Sequence, residues 1–215
     1  MTSSPASDRV LTVPNVLSAL RLALSIVLFV AIERGVWTPA FWLFLVAAST
    51  DWVDGWWARR FGQVSRLGRI FDPLVDKVIV CGAYVLLAGR DGSAILPWMA
   101  VVVTVRELIV TAVRAEMERS GRDFSAALSG KLKMVLQCAA IALELAARAW
   151  PETTLGGLGL RPLATWTAWA AVAATVWSGL EYLFAARVLV AGRAETHART
   201  GSCPGSGPPD AYETR

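Results

Sequence analysis

Six long apolar runs set what this chain can fold into. They cover about residues 16–32, 39–51, 70–88, 95–114, 132–147 and 163–190. A helix needs about 20 residues to cross a hydrocarbon core, and with their charged ends these runs approach that length. Helices of a water-soluble bundle usually show a polar stripe, whereas here apolar residues mostly run all the way round. The ten-residue alternation of a membrane barrel is absent. The pattern therefore predicts an all-α, polytopic membrane protein with six transmembrane helices.

Composition points the same way. Hydrophobic residues make up 55% of the 215 and charged residues 18%, against about 25% charged in ordinary soluble domains. The mean hydropathy is +0.49. A disordered chain and a small disulfide scaffold are excluded. At this length one domain is expected, a six-helix membrane domain over 1–192, followed by a polar, flexible tail over 193–215 rich in Gly, Ser, Pro and Thr. The first run lacks a compact signal-peptide core and a clear cleavage site, so it reads as a retained helix.

The net charge of +4 is read as loop asymmetry. No Lys/Arg block is dense enough to follow a phosphate backbone and no zinc-finger spacing occurs, so no nucleic acid is expected as a partner. With the first turn placed outside, one side receives fourteen basic residues and the other four, Arg34, Arg90, Arg148 and Arg161. The positive-inside rule then puts both termini and the 59–69 loop on the cytoplasmic side of the cell inner membrane, crossed in multiple passes.

Cys81 and Cys138 sit in apolar runs and Cys203 in the tail. No close pair suggests a redox or zinc motif, and all three read as small hydrophobes or incidental thiols. The sole histidine, His197, also lies in the tail, which argues against histidine-based catalysis.

The chemically informative stretch joins the second run to the third: DWVDGWWARRFGQVSRLGRIFDPLVDK, residues 51–77. Asp51 and Asp54 are three apart and Asp72 and Asp76 four apart, so each pair shares a helix face. Pro73 fits if it lies in a first helical turn. A short connection predicts that the two helices are adjacent and antiparallel, so four carboxylates can converge. Oxygen ligands of this kind suit Mg²⁺ or Mn²⁺, and a pair of such ions can clamp a pyrophosphate. Two plainer readings stand beside this one: surface acids balanced by Arg59, Arg60, Arg69 and Lys77, or a proton or cation path. Gly55 and Ala58 leave room against the Asp54 face, Gly68 allows a close backbone approach, and Arg59 can hold a phosphate bidentately. Gly55 and Ala58 also suit ordinary small-residue helix packing.

The whole stretch resembles the signature of the CDP-alcohol phosphatidyltransferase family, D-x2-D-G-x2-A-R-x8-G-x3-D-x3-D. All eight fixed positions match: Asp51, Asp54, Gly55, Ala58, Arg59, Gly68, Asp72 and Asp76. The resemblance implies a six-span enzyme of the CDP-alcohol phosphatidyltransferase fold, which moves a phosphatidyl group from a CDP-linked donor to an alcohol and releases CMP. It implies that Asp51, Asp54, Asp72 and Asp76 hold two divalent ions, Mg²⁺ or Mn²⁺, and that Asp76 is also the general base. Gly55, Ala58, Arg59 and Gly68 would line the CDP site, and a homodimer within membrane lipid is the implied assembly.

Three further segments resemble the phosphatidylglycerophosphate synthase branch of that family: VPNVLSALRLAL at 13–24, RELIVTAVR at 106–114 and SGKLKMVLQ at 129–137. Met134 departs from that branch, where threonine is usual. The implied donor is CDP-diacylglycerol and the implied acceptor sn-glycerol 3-phosphate. A sister activity using inositol phosphate, serine or phosphatidylglycerol is the alternative. The acceptor's phosphate needs cations, and Arg106, Arg114, Lys131 and Lys133 are the candidates, with Arg106 placed deepest. A salt bridge, for instance with a motif aspartate, is the plainer reading of Arg106, and snorkelling that of Arg114 and Lys131. Asn15 and Arg21 are candidates for shaping the donor site, although Asn15 equally suits a helix N-cap after Pro14.

Overall fold

Each apolar run becomes one helix. The computed structural model describes residues 13–61, 66–119 and 128–200. Within them, the side chains of 13–18, 51–61, 66–74, 76, 115–119, 128–129, 131 and 185–200 lie outside the description. The helices are α1 (Val13–Glu33), α2 (Trp37–Phe61), α3 (Arg66–Ala88), α4 (Pro97–Arg119), α5 (Leu128–Ala149) and α6 (Leu160–Thr200). Pro97 opens α4, where a missing N–H costs nothing.

Between α5 and α6 the chain makes a small antiparallel hairpin, β1 (Thr154–Leu155) with β2 (Leu158–Gly159). Its two-residue turn is Gly156–Gly157, with φ of 60° and 81°. Hairpin turns that match the strand twist need positive φ at both central residues, a conformation only glycine adopts freely.

The chain divides into two compact units, one up to Gly179 and one from Leu180. In the first, α1 packs on both α2 and α3, α5 packs on the same two helices, and α4 packs on α3. Leu28, Ile32, Phe44, Tyr84, Leu87, Met99, Val103, Ile141 and Leu145 fill the core, joined by Ala168, Ala171 and Val172 of α6. α2 and α3 both pack on α1 and α5; the expected side-by-side pairing of α2 with α3 falls at their connection, residues 62–65, outside the described ones. α3 starts at Arg66, so Pro73 is not in a first turn. Lacking an N–H, it leaves the carbonyl of residue 69 without its helical donor. The second unit holds the end of α6, which runs eight residues past Gly192 into the stretch expected to be tail. Residues 201–215, including Cys203, lie outside the described ones.

The six transmembrane helices are not supported. Among the described residues no helix is long and apolar enough to cross a membrane. The expected multi-pass topology, with both termini and the site on the cytoplasmic side of an inner membrane, falls with them. Polar residues lie buried within the apolar runs: Arg21 and Ser25 in α1, Glu107 in α4, Lys133, Gln137 and Glu144 in α5, and Thr175 and Ser178 in α6. Three of the four basic residues expected on the outer side have acidic neighbours in the fold. Arg90 pairs with Glu33, and Arg148 and Arg161 lie near Glu144. Large apolar side chains, among them Ile26, Val101, Leu108 and Trp166, remain exposed in the first unit.

Candidate active site

A buried ionisable side chain must find a partner or lose its charge, and α4 and α5 show how this chain solves that problem. Arg106 and Glu107 are consecutive on α4, and Lys133 lies in α5. Their side chains keep only 8–10% of their exposure. Glu107 Oε1 accepts from Arg106 Nη1 at 3.2 Å and from Lys133 Nζ. The other fork of the guanidinium, Nη2, donates to Ser178 Oγ on α6 at 2.6 Å. Beside it, Gln137 Nε2 donates to Thr175 Oγ1 at 2.9 Å, and that hydroxyl donates to the Ala171 carbonyl at 2.6 Å. A continuous polar seam thus joins α4, α5 and α6.

Gly179 belongs to this seam. A Cβ there would lie 3.2 Å from Arg106 Cγ, so a glycine inside α6 gives the arginine its path. Cys81 on α3 is within the field of the cluster. Burial pushes its thiol pKa up, the neighbouring Thr104 hydroxyl opposes this, Glu107 raises it further, and Lys133 and Lys77 lower it. The net effect keeps it a thiol at neutral pH, which removes it as a nucleophile.

The structure brings together two of the four expected acceptor cations, Arg106 and Lys133, through Glu107. Arg114 is exposed, and the side chain of Lys131 lies outside the described residues. Arg21 is buried in α1 at 2% exposure, while the Asn15 side chain is not described. Asp51, Asp54, Gly55, Ala58 and Arg59 fall in the final turns of α2, and Gly68, Asp72 and Asp76 in the first half of α3. Their side chains lie outside the described residues. Among the described residues no group of three or more His, Cys, Asp or Glu could hold a metal.

Sequence reasoning missed Glu107, Gln137, Thr175 and Ser178. A signal for the first was present: an arginine in an apolar run needs an anion, and the next residue supplies it. The motif aspartates also considered as its partner have side chains outside the described residues.

This helical frame and signature define a class. Residues 11–177 match the CDP-alcohol phosphatidyltransferase family, and the chain belongs to it. It is a transferase that moves a phosphatidyl group from CDP-diacylglycerol to an acceptor, in a family whose catalysis depends on a divalent metal.

Among similar proteins is the CDP-diacylglycerol--glycerol-3-phosphate 3-phosphatidyltransferase of Pectobacterium atrosepticum, 37% identical over 181 residues that cover 81% of this chain and 94% of that one. Enzymes of the same name from Sodalis glossinidius and Bacillus subtilis are 38% and 36% identical, covering 67% and 65% of this chain and 76% and 69% of theirs. The fold matches that of Mycobacterium tuberculosis phosphatidylinositol phosphate synthase, solved with CDP-DAG bound. Its TM-score is 0.60 at 18% identity, over 83% of this chain and 88% of that one.

Proposed function

We propose that the acceptor is sn-glycerol 3-phosphate and that the products are phosphatidylglycerophosphate and CMP. The observation that carries this reading is the convergence of Arg106 and Lys133 in one buried seam. Two cations held together in a dry site suit a phosphate monoester, and their attraction for it is strong where water is excluded. The relatives above, named for that acceptor, support the same reading.

Asp51, Asp54, Asp72 and Asp76 would hold the divalent ions, Mg²⁺ or Mn²⁺ and two in number. Hard carboxylate oxygens, two pairs each one turn apart on α2 and α3, are the donor set such ions take. When bound, the ions supply charge stabilisation for the pyrophosphate and the departing CMP. Arg59, with Gly55, Ala58 and Gly68 giving room, holds the CDP portion, and Asn15 and Arg21 shape the donor side. Arg106 and Lys133 hold the acceptor's phosphate and so present its primary hydroxyl, with Arg114 and Lys131 as further cations for it. Asp76 takes the proton from that hydroxyl. The new bond from its oxygen to the phosphatidyl phosphorus forms as the bond to CMP breaks. No covalent enzyme intermediate is involved. A homodimer belongs to the same reading.

The test is CMP release from detergent-dispersed CDP-diacylglycerol with Mg²⁺, comparing glycerol 3-phosphate, inositol phosphate, serine and phosphatidylglycerol. Release that requires glycerol 3-phosphate is expected. Release with another acceptor alone overturns the assignment.

A further inference from the structure

The Glu107 carboxylate is used unevenly. Arg106 and Lys133 both meet Oε1, and among the described residues no donor reaches Oε2. No fully enclosed carboxylate oxygen of the described residues lacks a partner, so Oε2 keeps open surface. An ionised carboxylate with one oxygen pinned between two cations cannot swing away, and its other oxygen is a fixed, strong acceptor. A ligand that places an anionic group on Arg106 and Lys133 meets that acceptor next to its anion. Phosphate alone gives it nothing to bind, since a second acceptor beside it is repulsive. A hydroxyl on the carbon next to the phosphate-bearing one is the donor that fits.

We propose that Glu107 is a specificity-determining residue that selects a vicinal polyol phosphate: Oε2 accepts a hydrogen bond from the secondary hydroxyl while the two cations hold the phosphate. This rests on the reading that Arg106 and Lys133 bind the acceptor. Ser178 and Gly179 serve it by fixing the guanidinium from the α6 side. A site built to bond a substrate hydroxyl rejects the analogue that lacks it, because its own polar group is then left unpaired.

The experiment compares glycerol 3-phosphate with 3-hydroxypropyl phosphate, which keeps the phosphate and a primary hydroxyl and lacks only the secondary one. The full-length enzyme is expected to favour glycerol 3-phosphate in kcat/KM by about ten- to a hundred-fold, the range of a hydrogen bond to a charged group. Glu107→Gln should shrink that ratio several-fold, and Glu107→Met should bring it to about one. Both substrates are measured on the same preparation, so a loss of folded protein cancels in the ratio.

A wild-type ratio near one, or a ratio unchanged in either variant, overturns the inference. Arg106→Met separates the two readings. A KM rise of about ten-fold or more for both phosphates, with the ratio persisting in Glu107→Met, leaves the acceptor pocket standing and sinks Glu107 alone. An unchanged KM for both sinks the pocket and this inference with it.

Discussion

Arg106 packs closely on residue 179, which has no side chain. Glycine in a helix interior costs roughly 0.5–1 kcal/mol relative to alanine, and α6 accepts that cost where a Cβ would come 3.2 Å from Arg106 Cγ. Gly179→Ala therefore sets two effects against each other. The helix gains propensity while the arginine is pushed by a few tenths of an ångström. The expected outcome is a melting temperature within about 2 °C of wild type, since the stability effects largely offset, with acceptor KM raised several-fold and donor KM unchanged. An unchanged acceptor KM would mean that Arg106 does not need that path. At Asp76 the expectation concerns chemistry rather than binding. Asp76→Asn should lower turnover by about 10²–10⁴-fold, the usual contribution of a positioned base, while CDP-diacylglycerol still binds. Single-turnover CMP release and donor titration check both halves, and near-normal turnover removes the base assignment.

At the scale of elements, a second buried carboxylate does work unrelated to catalysis. Glu144 on α5 is fully buried. It accepts from Ser93 Oγ and Ala94 N, both at 3.1 Å, in the connection before α4, and from Arg148 Nε at 2.7 Å. Arg161, at the start of α6, lies 3.9 Å away. Arg148 also stacks 4.7 Å over the Trp37 ring at the start of α2. One carboxylate thus ties the ends of four helices. Glu144→Gln leaves Arg148 without its charge partner, and breaking a buried pair costs about 3–5 kcal/mol. Denaturant unfolding should show that loss, and Glu144→Leu with Arg148→Met should recover much of it. A loss below about 1 kcal/mol would place the pair among the weak surface bridges.

Sequence reading found the helices because hydrophobic runs report where backbone can be buried; α1, α3 and α5 start and end within a few residues of the expected bounds. It did not find this tie. Arg148 and Arg161 read as loop charges, and pairing across helices far apart in sequence leaves no periodic trace in any one of them.

For the molecule as a whole, composition misled in one respect and motif spacing carried the rest. A high apolar fraction counts residues without regard to where charges fall. Buried Arg21, Glu107, Lys133 and Glu144 interrupt the runs that the average smooths over; six helices were legible, while among the described residues none is long and apolar enough to cross a membrane. The family was legible because eight residues at fixed spacing carry information that composition does not. The same eight residues make a prediction about global stability. If the four signature aspartates of α2 and α3 hold the ions as proposed, they repel one another when nothing binds them, and an ion that binds only the folded arrangement stabilises the whole first unit by mass action. At about a hundred times its dissociation constant, the gain is about 2.7 kcal/mol. For a chain of this size that is a rise of about 5–10 °C in melting temperature. Thermal unfolding in EDTA against excess Mg²⁺, with Ca²⁺ as a competitor, reads this without any substrate. The rise should shrink in Asp51→Asn and vanish in Asp51→Asn/Asp72→Asn, whose EDTA baselines should sit above that of wild type because repulsion has been relieved. A wild-type rise that survives in the double variant places the metal elsewhere, and no rise at all removes the aspartates as its site.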